Sequence, residues 1–146
     1  MEDILIECSP GVSGDMLLGA FYDLGVPKNI IEKTLKCIGL ENLYDLHFRE
    51  SQSCSIRGIK VSIDKIDQRT KRDWSSIKKL ISKAQLEKKL KKRIYEVFES
   101  LAIAEGRVHG INPEEVHFHE IGAIDSLVDI IAVSYTHLTL PTTPYV

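Results

Sequence analysis

The chain has 146 residues, 43% of them hydrophobic and 27% charged, with a net charge of −2. That is enough for one domain with a real core and too little for two. No run nears the ~18 apolar residues of a membrane span, and the acids that follow Met1 differ from the basic start of a secretory signal.

The charge is unevenly spread. Residues 1–68 carry 7 basic and 11 acidic side chains, residues 69–93 carry 11 and 2, and residues 94–133 carry 1 and 8. The last of these stretches favours a cation over an anion. Cys8, Cys37 and Cys54 are odd in number and lack CxxC spacing. They read as reduced thiols of a cytoplasmic protein.

In chain order, Asp3–Cys8 alternates and is rich in Ile, which predicts a strand. A turn cluster, SPGVSG, follows. The next segment places Met16, Leu17, Ala20 and Leu24 on one helical face, with Ser13 as N-cap and Gly25 as stop. A second helix is predicted over Asn29–Ile38. Leu43–Glu50 and Ser55–Asp64 alternate across a short polar link and predict a hairpin. Trp74–Ala84 and Leu86–His109 have helical periodicity, the latter stopped by Gly110. Asn112 followed by Pro113 reads as a cap and first helical position of one short turn. Val116–His119 is a strand candidate. Ile124, Leu127, Val128 and Ile131 begin a last helix. These elements predict an α+β fold, a small mixed sheet with a β-hairpin covered by amphipathic helices.

Three constellations could carry chemistry. On a strand, His117 and His119 share a face about 6.5–7 Å apart and can converge on one ion. On a helix they would diverge. Neutral imidazole suits nickel, zinc, copper or iron. Glu120, Asp125 and Asp129 are the nearest further ligands. The competing reading is a half-buried strand with Phe118 inward and the histidines outward. In the loop 10–15, Gly11, Ser13 and Gly14 stand before a helix whose free N–H groups would suit an anion. It lacks GK[ST], and it is not G-x-S-x-G. Asp15 there repels phosphate and suits a cation or a ribose hydroxyl. The competing reading is an ordinary capped turn. The third is the lysine-rich block with Trp74, readable as a nucleic-acid surface or as a solvated helix face. The slightly acidic chain argues against nucleic acid. His47 and His109 read as structural.

Two blocks, ECSPGVSGDMLLGAFYDLGV and VHGINPEEVHFHEIGAIDSLVDI, resemble the LarC family of nickel insertion proteins. The resemblance covers residues 1 to about 133. It implies a nickel chelatase, a cyclometallase that inserts Ni(2+) into pyridinium-3,5-bisthiocarboxylic acid mononucleotide with CTP hydrolysis. The product would be the nickel-pincer nucleotide cofactor of lactate racemase-type enzymes. Within that reading His117, His119 and Glu120 are the metal donors. Asp15 or Asp125 is the catalytic base for the leaving proton, and Gly11, Ser13 and Gly14 are cofactor-binding positions. CTP, with magnesium or manganese, is expected on a C-terminal domain of the same protein. The partners implied are the mononucleotide precursor and that domain. Oligomeric state is left open, a homo-oligomer included, and neither membrane nor nucleic acid is expected. The rival is a non-catalytic metal-binding or interaction module that uses the basic helices.

The chain departs from the family pattern in places. Lys65–Trp74 lacks the histidine-rich stretch that many relatives carry there. Ser134–Val146, SYTHLTLPTTPYV, has no acidic or basic residue (His137 aside) and two prolines, and resembles adapter or vector read-through. The expected boundaries are therefore a domain over 1–133, as an N-terminal fragment, and a non-native tail over 134–146 that cuts the last helix short.

Overall fold

A computed structural model describes residues 5–9, 11–65, 73–118 and 124–139. The elements are α1 (Gly14–Asp23), α2 (Lys28–Lys36), β1 (Tyr44–Ser53), β2 (Ile56–Lys65), α3 (Trp74–Lys83), α4 (Lys88–His109), a 3₁₀ turn (Pro113–Glu115) and α5 (Ile124–Thr139). The α+β class holds: helices pack with one antiparallel hairpin.

Residues Cys54 and Ser55 close the hairpin, both at positive φ (48° and 65°). This is the backbone twist that a two-residue hairpin needs. Neither is Gly or Asn, so the turn costs roughly 1–2 kcal/mol per residue in strain. The register runs from Ser53 opposite Ile56 to Tyr44 opposite Lys65. β1 thus runs three residues further toward the turn than the sequence predicts, while β2 keeps its predicted length of ten, shifted by one.

α5 is the centre of the molecule. It packs on α1, α2, α4 and β2, and Leu127, Val128, Ile131 and Ala132 are fully buried. Around it lie Ile31 and Leu35 of α2 and Ile94, Phe98 and Ala102 of α4, and the same core takes in Trp74 and Ile77 of α3, which packs on α4. Each buried aliphatic or aromatic side chain of this kind contributes about 1.5–3 kcal/mol. α4 ends at Gly110 in the left-handed conformation (φ 66°), as the sequence implies. Asn112 accepts the Glu114 N–H at 3.0 Å and caps the 3₁₀ turn.

Four expectations are corrected. Among the described residues the sheet has two antiparallel strands and is not mixed. Of the predicted strand Asp3–Cys8, residues 3 and 4 lie outside the described residues, and Leu5–Cys8 is not in a strand. An alternating segment becomes a strand only by pairing. Here Leu5 is 93% exposed.

The buried face of α1 is Leu18 and Phe21, whereas Met16 and Leu24 are exposed. The α1 segment is apolar on most sides, so periodicity could not choose the face. Close approach to β2 chose it. A β-carbon on Gly19 would meet the Ile59 carbonyl oxygen at 2.5 Å. Lastly, α5 runs past Val133 to Thr139. Val133 and Tyr135 pack against the core, and the Ser134 hydroxyl donates to the Ile130 carbonyl at 2.6 Å. Packing outweighs the modest helix propensity of Ser and β-branched residues.

Candidate functional site

The N-terminus of α1 is built from the glycine-rich loop. The Gly11 N–H donates to the Cys8 carbonyl at 2.8 Å, and Gly11 sits at φ 91°, where a side chain would be strained. Pro10 lies outside the described residues. Ser13 is extended at the N-cap position, but its hydroxyl does not cap the helix. It donates instead to the Asp15 carboxylate, which also accepts the Met16 N–H at 2.9 Å.

A carboxylate from another helix lies against this helix start. The Asp15 backbone N–H favours the ionised form of Asp129 of α5. A β-carbon on Gly14 would lie 3.0 Å from Asp129 Oδ2 and closer still to its Cβ. A carboxylate at a helix N-terminus is favoured by the helix dipole. The anion seated at this helix start is therefore the protein's own.

Asp125 lies one turn before Asp129 on α5, and its Oδ1 accepts the Ser126 N–H at 3.1 Å. Burial, then the nearby Asp15 and Asp125 carboxylates, push Asp129 up to about 6, while the Asp15 N–H bond opposes the rise. Asp129 Oδ1 is buried with no hydrogen-bond partner. Asp129 also borders an open cleft of about 470 Å³, whose wall includes Gly14, Val97, Leu101, Ile130 and Val133. The fold thus brings together Asp15 and Asp125, both candidates from the sequence, around a third carboxylate. In the sequence Asp129 was a candidate further metal ligand, alongside Glu120 and Asp125. The signal for this close packing was Gly14, a residue without a side chain where Asp129 must fit.

His117 is elsewhere on the chain path, in a single antiparallel bridge with Asp73. The Trp74 N–H donates to the Val116 carbonyl at 3.1 Å. Val116 and Phe118 are buried and His117 is exposed. The alternation of an extended segment is there, with only a bridge in place of a strand. Asp73 caps α3 by accepting the Ser76 N–H at 2.7 Å. Ser76, through side chain and backbone, holds the Asp73 carboxyl below the usual range, with His117 adding to the effect. His119 and Glu120 lie outside the described residues. Among the described residues, no group of three or more His, Cys, Asp and Glu could hold a metal ion.

The remaining histidines and the basic block have local partners. His47 lies 3.3 Å from Asp64, and His109 lies 3.4 Å from Glu105. Lys78 pairs with Glu114 and sits over the Trp74 ring. Lys91 donates to the Ser82 carbonyl at 3.0 Å, and Lys92 is 3.7 Å from Glu96. These contacts fit a solvated helix face. All three cysteines are free. Among the described residues, no helix is long and apolar enough to cross a membrane.

A family model described as nickel insertion protein matches residues 4–143. A protein of Syntrophobacter fumaroxidans named for nickel insertion is 41% identical over 140 residues, covering 94% of this chain and 36% of that one. The pyridinium-3,5-bisthiocarboxylic acid mononucleotide nickel insertion protein of Desulfitobacterium hafniense is 34% identical over 131 residues, covering 90% of this chain and 32% of its own. The protein of the same description from Staphylococcus epidermidis is 38% identical over 128 residues, covering 88% and 32%. No solved structure matches the chain. The chain spans about a third of the length of the curated relatives it matches. On the match over nearly its whole length, the chain belongs to the nickel insertion protein family.

Proposed function

We propose that this chain is part of a longer protein that inserts nickel into pyridinium-3,5-bisthiocarboxylic acid mononucleotide. The observation that carries the reading is the cluster of Asp15, Asp125 and Asp129 at the start of α1, in a member of this family. Nickel is here a substrate. His117, His119 and Glu120 are the proposed donors, since imidazole and carboxylate suit a divalent ion of this type. Asp15 or Asp125 is the proposed base for a leaving proton.

A phosphate at this helix start would meet the Asp15 and Asp129 carboxyl groups. Gly11, Ser13 and Gly14 are accordingly proposed to meet the ribose or another uncharged edge of the mononucleotide. CTP hydrolysis, with magnesium or manganese, is proposed for the part of the longer protein beyond this chain. The protein is proposed to be cytoplasmic. Residues 134–146 are proposed to be foreign to the natural protein, and the gene sequence after codon 133 tests that.

Calorimetry with nickel tests the metal assignment. Wild-type protein is expected to bind, and His117→Ala with His119→Ala to lose most of the affinity. Equal binding by the double variant would remove both histidines from the site.

A further inference from the structure

The seam between α4 and α5 is an open groove. On α4, Val97 and Leu101 stand one turn apart and share a face, and on α5 Ile130 and Val133 do the same. Two adjoining clefts, of about 470 and 540 Å³, share Val97, Leu101 and Val133, and Ile130 lines the first. Val97 is 40% exposed. The other three are half-buried, at the edge of the core. The second cleft adds Arg93 and Glu96, the first Ser126 and Asp129. An apolar stripe rimmed by polar residues in this way marks a surface that takes a protein partner. Along α4 it runs from Arg93 to Leu101, about 12 Å or two helical turns.

We propose that this groove seats an amphipathic helix from the part of the longer protein that lies outside this chain. The shape selects a helix. Two helices already form the walls, and a third laid along their seam sets its own apolar residues, one turn apart, between them. It would close the side of α5 that α1, α2, α4 and β2 leave open.

The source of the helix follows from length and position. The chain covers 36% of the Syntrophobacter fumaroxidans relative and 32% of the Desulfitobacterium hafniense one. Most of such a protein therefore lies outside this chain, far more than a two-turn anchor needs. α5 is itself a wall of the groove and ends at Thr139, within two turns of Val133. A segment following α5 needs only a short helix–helix connection to turn back into the groove. A segment tethered to its own groove also binds at a high effective concentration, an advantage that a separate partner lacks. The docking rests on the longer protein proposed above and not on its nickel chemistry, so its test reads no activity.

The test uses the full-length protein. Val97→Cys is labelled with a bulky maleimide beside a control on the same helix, Val108→Cys, each rate being divided by the rate of the same protein in urea. Val108 is 78% exposed and lines neither cleft. A seated helix is expected to slow residue 97 at least about fivefold relative to residue 108. A smaller difference means an open groove and overturns the proposal. Protection that fades on about 100-fold dilution is the mark of a second copy of the chain and overturns it as well. Val97→Asp, which sets a charge in the stripe, is then expected to speed amide exchange by about tenfold or more in a segment outside residues 1–146, with Val108→Asp leaving that segment unchanged. Release of no such segment assigns the protection to this chain itself and overturns the proposal. A gene that encodes nothing outside this chain refutes the longer protein and the docking together. An open groove in a full-length protein refutes the docking alone.

Discussion

A β-carbon on Gly14 would stand 2.5 Å from the β-carbon of Asp129. Real β-carbons do not approach that closely, so Gly14→Ala must push α1 away from α5. The atoms it meets belong to the base of the Asp129 side chain, which cannot swing aside. Overpacking of this kind costs about 1–3 kcal/mol. The expected outcome is a matching fall in unfolding free energy by urea titration. An unchanged midpoint would show that the two helices are not in this contact.

Asp129 gives the protein a stability that depends on pH. Its value in the fold, about 6, lies above the ordinary 3.8, so the folded chain holds this proton more tightly than the unfolded one. Stability from this group is complete below about 4 and is lost as pH rises to about 6. The group is only half-buried, so solvent screening reduces the effect to roughly 1–2 kcal/mol. Asp129→Asn, which cannot ionise, should therefore gain on wild type between pH 4 and pH 7. Urea midpoints of the two proteins that run parallel over that range would contradict the raised value.

The contact between Gly19 and the Ile59 carbonyl joins α1 to the hairpin. Gly19→Ala would set a β-carbon 2.5 Å from a backbone oxygen that is itself fixed in β2. We expect a loss of about 1–3 kcal/mol, with faster hydrogen exchange in α1 and β2. Protection unchanged in both elements would argue against this packing.

Asp73 serves two partners, the Ser76 N–H and the bridge to His117. Asp73→Ala should cost about 1 kcal/mol through the lost cap, read as a lower urea midpoint. Because Ser76 holds the Asp73 carboxyl below its usual range, the wild-type advantage is present above the ordinary carboxylate value and fades as the solution is acidified through the lowered one. An advantage that grows in acid would reverse the assigned cause.

Much of the helical part of this fold was legible because local signals agreed with one another. α4 has its apolar spacing and its left-handed stop at Gly110, and the next turn has Asn112 and Pro113 in the expected positions. The hairpin was legible from alternation. What failed depended on distant partners. Leu5–Cys8 alternates as a strand does, yet among the described residues nothing pairs with it. The α1 face was settled by β2, which lies far along the chain. At the site, Asp15 and Asp125 were readable as carboxylates near a turn and on a helix. That Asp129 would pack against the start of α1 was not, because contacts between distant helices leave no fixed spacing. His119 and Glu120, which the metal reading needs, lie outside the described residues.

α4 also has an electrical consequence. Its 22 residues make a rod of about 33 Å, with Lys88, Lys89, Lys91, Lys92 and Arg93 at its start. The stretch from residue 94 to 133 carries 8 acidic and 1 basic side chain. Cationic residues at the positive end of a helix dipole work against local stability, so α4 forms in spite of its charge order, through its packing on α3 and α5. The polarity orients the molecule in the field of an approaching ion. A divalent cation is repelled from the lysine-rich start of the rod. At physiological ionic strength that guidance extends about 8 Å from the surface, and dilution lengthens its reach.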